Sequence, residues 1–222
     1  MNTLIIGGTS GLGLELGRRF RLMGHAVYAT GRSKKTLPVG IHPLVFTVTD
    51  VSTLLSKDVE VLVGDLPKID VLIYTAGFYK PGRVAELSDE HIVATVNAGL
   101  LAPAFLLKGL IRKQGELNGF IAISSTSQLR PREQEPLYAA TKAGLGMLAQ
   151  SVSLDPAIKK TLVVAPSGMD TPFWLGSGRK VQGLLSPAWV ADRILELWRE
   201  PYACRTALIL REPERVEILE TR

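Results

Sequence analysis

Apolar residues along this chain fall into two rhythms. Short, nearly unbroken apolar runs of strand length occur at residues 4–6, 26–30, 43–47, 69–74, 119–124, 161–165 and 206–210. Between them apolar positions recur every three or four residues at 14–23, 51–63, 89–113, 137–152 and 187–198, a spacing that predicts amphipathic helices. Strands alternating with helices imply parallel pairing through right-handed crossovers, with helices on both faces of one sheet. The expected fold class is α/β, a doubly wound seven-stranded parallel sheet, and the 222 residues suit one domain, 1–222, with a single core. No internal repeat, low-complexity tract or membrane-spanning run is evident in this pattern.

The first apolar run leads straight into GGTSGLG, residues 7–13, and from there into the first helical stretch. Strand, glycine turn and helix in that order make an anion site, because glycine lets backbone approach a pyrophosphate and the exposed amides of a helix start attract negative charge. Gly7, Thr9, Ser10, Gly11, Leu12 and Gly13 are its candidate residues. Their glycine spacing differs from G-x-G-x-x-G, so that motif cannot be claimed from its pattern alone, and the other reading of the segment is a tight, closely packed turn.

A second constellation sits later, where YAATK places Tyr138 and Lys142 one helical turn apart on one face. A phenol ordinarily titrates near pH ~10, so proton transfer near neutrality asks for a shift of roughly three units, about 4 kcal/mol of preference for the anion. An ammonium close by supplies part of that, which makes Lys142 the natural partner of Tyr138. Ser125, upstream, is suited to hydrogen-bond a substrate oxygen whose charge changes during reaction. Alone, tyrosine and lysine at this spacing are common on ordinary helices, so the weight rests on the combination with the glycine turn.

Taken in order, IGGTSGLG (6–13), YTAG (74–77), VNAG with Asn97, ISSTS with Ser125, YAATK and PSGMDT (166–171) resemble the short-chain dehydrogenase/reductase family. That family's T-G-x-x-x-G-x-G, N-N-A-G, Asn, Ser, Y-x-x-x-K and P-G-x-x-x-T elements run through most of its length. The resemblance implies a Rossmann-like fold and a nicotinamide cofactor. It also implies a catalytic set of Asn97, Ser125, Tyr138 and Lys142, and the family's serine-to-tyrosine interval selects Ser125 over Ser124 and Ser127. By the same resemblance Asp50 and Val51 meet the adenine, Ala76 and Gly77 line the path to the nicotinamide, and Pro166, Met169 and Thr171 belong to the cofactor site together with Tyr138 and Lys142. Lys142 would hold the nicotinamide ribose and Asn97 a water leading from Lys142 to solvent. Three positions depart from the pattern: Ile6 stands for the family's threonine, Tyr74–Thr75 for its paired asparagines, and Ser167 for a glycine. Ile6 and Tyr74–Thr75 are expected to meet across the sheet, exchanging a polar contact for a more apolar one.

Charge and composition narrow the picture further. The formal net charge is +5, but only Arg18–Arg19, Lys34–Lys35 and Lys159–Lys160 are adjacent basic pairs, a scatter unlike a nucleic-acid surface. No nucleic-acid or membrane partner is expected. Cys204 is the only cysteine, which excludes an internal disulfide, and the start MNTLIIGG lacks the features of a secretory signal, so a cytoplasmic setting is expected. His25, His42 and His91 are widely separated and lack ligand spacing, and no metal site is expected.

After the second strand, TGRSKK offers no carboxylate for an adenosine ribose, whereas Arg32, with Ser33 or Lys34, suits the 2′-phosphate of NADP. NADP(H) is therefore the expected cofactor, with NAD(H) the other option. The expected activity is hydride transfer between nicotinamide and a carbonyl or alcohol carbon, Tyr138 acting as general acid or base. The alternatives are a non-catalytic NADP(H)-binding regulator of the same fold and, less well matched in length, a sugar-nucleotide epimerase. Candidate substrate contacts are Ser125, Gln128, Tyr138 and Phe173, with Phe78, Tyr79, Leu129 and Trp174 as further pocket residues. Residues 173–186 form the expected substrate loop, where Gly176, Gly178 and Gly183 would permit a lid or simply make turns. Arg130, Arg132, Glu133 and Glu135 read as a solvated loop rather than as substrate contacts. Small residues Ala139, Ala140, Ala143, Gly144 and Gly146 on the Tyr138 helix suit close helix packing, either within the subunit or in a homodimer or homotetramer.

Overall fold

The structure is a computed structural model, and residues 1–33, 35–49, 54–175, 177 and 182–222 are described. Seven parallel strands, β1 (Asn2–Ile6), β2 (Ala26–Gly31), β3 (Ile41–Val45), β4 (Val71–Tyr74), β5 (Gly119–Ile123), β6 (Thr161–Pro166) and β7 (Cys204–Arg211), lie in the order 3-2-1-4-5-6-7. Helices α1 (Gly11–Leu22), α2 (Leu55–Asp65), α3 (Asp89–Val96), α4 (Ala102–Gln114), α5 (Pro136–Val152) and α6 (Pro187–Arg199) form the crossovers. The chain winds outward from β1 in one direction and from β4 in the other. A crevice therefore opens beyond the carboxyl ends of these neighbouring strands, where ligands of such sheets bind.

Successive residues of each strand point to opposite faces, and the two cores record this directly. Leu4, Ile6, Leu72, Tyr74, Phe120 and Ala122 face α2, α4 and α5, packing with Val59, Leu106 and Leu145. Ile5, Val71, Ile73, Ile121 and Ile123 face α1 and α6, packing with Leu16, Phe20, Val190 and Ile194. Both sides of these strands are buried, which is why their sequences read as unbroken apolar runs. Arg19 joins α1 to α6: it donates to Asp192 Oδ1 and Glu15 Oε2, both at 2.7 Å, and to the Ala188 carbonyl.

An eighth strand, β8 (Glu214–Thr221), adds to the expected seven and pairs antiparallel with β7 through a two-residue turn at Glu212–Pro213. Most of its residues are exposed, so its charged sequence carries no apolar run to announce it; charge suits an edge strand, where it discourages pairing with other chains. The expected helix 51–63 is described from Leu55, its first residues lying outside the described ones.

The helical stretch 89–113 is also continuous in the sequence pattern but not in the backbone. A π-helical turn at Asn97–Leu101 divides α3 from α4. Pro103 supplies the reason, since it has no N–H and its ring collides with the carbonyl four residues back in a regular α-helix. The run Asp89–Gln114 is long and apolar enough to cross a membrane by length and composition, yet half of it is buried in the fold, where Ala98, Ala102, Leu106 and Leu110 are core residues.

Candidate active site

Gly7 and Gly11 adopt φ of +84° and +51°, conformations open to glycine and strained for other residues. A Cβ on Gly7 would sit 3.0 Å from the Ala76 nitrogen, and one on Gly13 would run into the Gly7 carbonyl oxygen and lie 2.7 Å from Thr75 Oγ1. Glycine is thus required to bring the loop against β4, and Thr30 Oγ1 fastens it from β2 by accepting from Gly7 N at 3.1 Å. What results is a cradle of backbone amides at the start of α1, shaped for an anion.

From this cradle a cleft of about 620 Å3 crosses the carboxyl end of the sheet, a volume within the ordinary range for cofactor sites. Gly7, Thr9, Ser10, Gly11, Leu12 and Gly13 line it, as do Arg32, Ala76, Gly77, Ser125, Tyr138, Lys142, Pro166, Met169, Thr171 and Phe173. Arg32 stands with Lys35, Val48 and Thr49 on this lining, and Tyr138 with Lys142, Ser125 and Phe173. Asp50, Val51, Lys34, Gly176 and Gly178 lie outside the described residues. The donor set and the glycine cradle fit a nicotinamide dinucleotide.

Two expected residues are not brought to the cleft. The Gln128 amide oxygen lies 2.7 Å from Ser124 Oγ, and Gln128 packs where Gly146 of α5 leaves room for it, so it braces the turn at Thr126–Leu129 against α5 and is absent from the lining. Asn97 is buried in the π turn and is likewise absent from the lining. Of the further pocket residues, Phe78, Tyr79 and Trp174 line the cleft, whereas Leu129 is half exposed and does not.

Glu135 reverses its expected place. Read from the sequence as part of a solvated loop, it is only 5% exposed and lines the cleft. Its position just before Pro136 at the start of α5 turns the side chain inward, where Ser127 Oγ donates to it at 3.1 Å and Tyr79 OH at 3.3 Å. Arg132 also reaches the lining, while Arg130 and Glu133 remain exposed. No periodic signal distinguishes a charged residue one step before a helix from its exposed neighbours; a tyrosine and a serine far apart in sequence create its environment.

At the centre, Ser125 and Tyr138 share the cleft lining, and Ser125 Oγ accepts from Ser127 N at 3.1 Å. Burial is the main influence on Tyr138 and holds the phenol well above its ordinary value; the Ser125 side chain pulls it down, and the Glu135 carboxylate and Tyr79 push it up. Lys142 is buried, donates to the Ile123 carbonyl at 2.9 Å and has its Nζ 5.8 Å from the Tyr138 ring centroid. Burial brings its ammonium down to about 8. The acidified phenol expected from the sequence is therefore not produced by the protein's own groups: Tyr138 rests as a proton donor.

The departures at Ile6 and Tyr74–Thr75 resolve in this structure. Ile6 and Tyr74 are register partners and both join the same apolar core, while Thr75 Oγ1 donates to the Ile6 carbonyl at 2.8 Å. Tyr74 OH crosses to the Ala98 carbonyl at 2.5 Å. That carbonyl needs a partner, because the Ala102 N–H is bonded to Asn97 O across the π turn and the next residue along is Pro103, which has no N–H. Burial raises the Tyr74 phenol far above its ordinary value, so it remains a donor. Tyr74→Phe would leave a buried carbonyl unsatisfied and is expected to lower stability by about 1–3 kcal/mol. A denaturant melt with an unchanged midpoint would show that the bond carries no such role.

The family model for short chain dehydrogenases matches residues 1–180. The 3-oxoacyl-[acyl-carrier-protein] reductase MabA of Mycobacterium avium is 28% identical over 185 residues, 82% of this chain and 72% of that protein. Among solved structures, a short-chain dehydrogenase/reductase from Vibrio parahaemolyticus superposes with a TM-score of 0.77 at 25% identity, covering 94% of this chain and 99% of the other. A short-chain dehydrogenase from Sphingobium yanoikuyae, in complex with NADPH, has the same fold with a TM-score of 0.77 at 20% identity, covering 93% and 87%. With an NAD(P)-binding oxidoreductase fold and a family pattern that extends from the glycine cradle past the Tyr138 helix, this chain belongs to the short chain dehydrogenases.

Proposed function

We propose that this protein is an NADP(H)-dependent oxidoreductase interconverting a carbonyl and an alcohol, with Tyr138 as general acid in reduction and general base in oxidation. The observation that carries this reading is the placement of Ser125, Tyr138 and Lys142 together on the cleft that begins at the glycine cradle. A nicotinamide cofactor, when bound, supplies the hydride chemistry. Ser125 holds the substrate oxygen, and the protonated Tyr138 delivers its proton to that oxygen as the carbonyl is reduced. Lys142 holds the ribose, while Ala76, Gly77, Pro166, Met169 and Thr171 form the wall against the nicotinamide. Arg32, on a lining that also carries Lys35, receives the 2′-phosphate. The NADPH complex of the Sphingobium yanoikuyae relative supports the same cofactor choice. A homodimer or homotetramer is proposed in addition: Gly144 and Gly146 are taken up by Leu100 and Gln128 of the same subunit, but Ala140, Ala143 and Met147 leave an exposed apolar face on α5.

NADPH oxidation across a panel of aldehydes, ketones and quinones tests the activity, with turnover expected for part of the panel; binding without oxidation throughout would support the regulator instead. Arg32→Glu is expected to weaken NADPH binding about 10- to 100-fold while NADH binding changes little, since a carboxylate repels the phosphate and accepts from the ribose. Fluorescence titration at fixed ionic strength measures both, and equal losses for the two cofactors would remove Arg32 from phosphate recognition.

A further inference from the structure

Three serines follow β5 closely, and each hydroxyl has its own hydrogen-bonding pattern. Ser124 Oγ donates to the Lys142 carbonyl at 2.8 Å. Ser127 Oγ donates to Glu135 Oε2 at 3.1 Å, while Ser125 Oγ accepts from Ser127 N at 3.1 Å. Neither proton transfer nor cofactor binding calls for the Ser127 hydroxyl, yet Ser127 is only 8% exposed and lines the cleft.

Ser127 is held at two points. A serine hydroxyl carries one hydrogen, and here a carboxylate takes it, so the side chain is fixed and has no hydrogen to offer a substrate. That carboxylate is itself anchored. Glu135 immediately precedes α5, three residues before Tyr138; its N–H donates to the Arg132 carbonyl at 3.1 Å and its carbonyl accepts from Ala139 N at 2.8 Å. Tyr79 OH donates to its other oxygen at 3.3 Å, and Gly82 N donates to the carbonyl of the preceding residue, Gln134, at 3.0 Å. The Ser127 side chain therefore ties the turn Thr126–Leu129 to the start of the helix that carries Tyr138. Its backbone N–H, at the other end of the same residue, occupies a lone pair of Ser125 Oγ. A hydroxyl that accepts in this way directs its hydrogen away from the turn and becomes a better donor.

We infer that Ser127 is a positioning residue: its hydroxyl, anchored on Glu135, fixes the N–H that aims Ser125 at the substrate oxygen. This rests on the oxidoreductase reading above, since the aim of Ser125 during carbonyl reduction is what Ser127 controls. Ser127 touches neither substrate nor cofactor in this role, and acts through Ser125 alone.

The test is a double-mutant cycle in the whole protein, with NADPH and 4-nitrobenzaldehyde, cyclohexanone and 1,4-naphthoquinone as substrates. Ser127→Ala is expected to lower kcat about 3- to 30-fold, the range that one such hydrogen bond commands, with NADPH affinity within about twofold of wild type. In a Ser125→Ala background the same substitution is expected to change kcat less than about twofold, because no hydroxyl remains to be aimed. Ser127→Thr and Ser127→Val have nearly the same shape and differ by the hydroxyl, so Thr is expected to be at least about threefold the faster. Wild-type kcat in Ser127→Ala would overturn the inference, as would equal losses in the two backgrounds, which mark a general structural effect, or equal rates for Thr and Val. A wild type that binds NADPH but reduces none of the three carbonyls contradicts the oxidoreductase reading alone. Crystal structures of the NADP+ complexes of wild type and Ser127→Ala then decide the matter: Ser125 Oγ beyond hydrogen-bond reach of the residue 127 N–H in the variant upholds the positioning role, and an unmoved Oγ overturns it.

Discussion

Replacing Tyr138 by phenylalanine is expected to lower kcat for carbonyl reduction by about 10^2- to 10^4-fold, the range that one positioned general acid contributes. The substitution removes only an oxygen, leaving the ring that packs edge to face with Tyr79 at 5.3 Å and beside Phe173 at 5.9 Å. The helix should therefore stay in register and NADPH affinity stay within a few-fold of wild type. A proportionate fall in kcat and kcat/KM at unchanged cofactor affinity is the signature of a group that acts in the transition state. Single-turnover kinetics together with NADPH fluorescence titration separate these quantities. A phenylalanine variant with near-normal rates would remove Tyr138 from proton transfer and leave the Ser125 hydroxyl without a catalytic partner.

Gly13→Ala, one methyl group in α1, should produce the second largest effect. That methyl would meet the Gly7 carbonyl oxygen and Thr75 Oγ1, and the first of these belongs to backbone that has no rotamer to change. Relief requires the cradle to open, which breaks the close approach of Gly7 to Ala76 and disturbs the bond from Thr75 Oγ1 to the Ile6 carbonyl. Overpacking of this kind costs about 1–3 kcal/mol, and because the strain falls on the anion site, NADPH affinity is expected to drop at least about tenfold as well. Gly17, one turn further along α1, is the control: an added Cβ would have Ile41 Cδ1 at 3.4 Å and Ile5 Cδ1 at 3.5 Å, side-chain ends that can shift. Denaturant melts and cofactor titration on both variants measure the contrast. Similar behaviour of the two would show that the closeness of Gly13 to Gly7 has no bearing on binding.

The two lysine and tyrosine positions illustrate how a motif and its chemistry differ. YAATK correctly indicates that Tyr138 and Lys142 occupy one helix, and the structure puts both on the cleft wall. It does not say where the ammonium hydrogen-bonds, and Ile123 on β5 takes it. Burial then raises the phenol, and Tyr79 from a distant part of the chain and Glu135 at the start of the same helix push it the same way. The same distinction applies to Gln128 and Glu135, both in the stretch between Ser125 and Tyr138. Gln128 looks like a pocket residue and braces α5; Glu135 looks solvated and lines the cleft.

Local sequence determined the alternation of strand and helix, because every interior strand is covered on both faces and each helix on one, and solvent exclusion writes those periods into the residues. It also determined the glycine cradle, since only glycine tolerates the φ of Gly7 and the packing at Gly13. Tertiary structure alone decided the rest: the π turn that Pro103 forces and Tyr74 satisfies, the charged edge strand β8, and the burial of Glu135 beside the Ser127 and Tyr79 hydroxyls. Each of these depends on which distant group ends up within a few ångströms, through a hydrogen bond or an exclusion of water, and neither leaves a period in the chain.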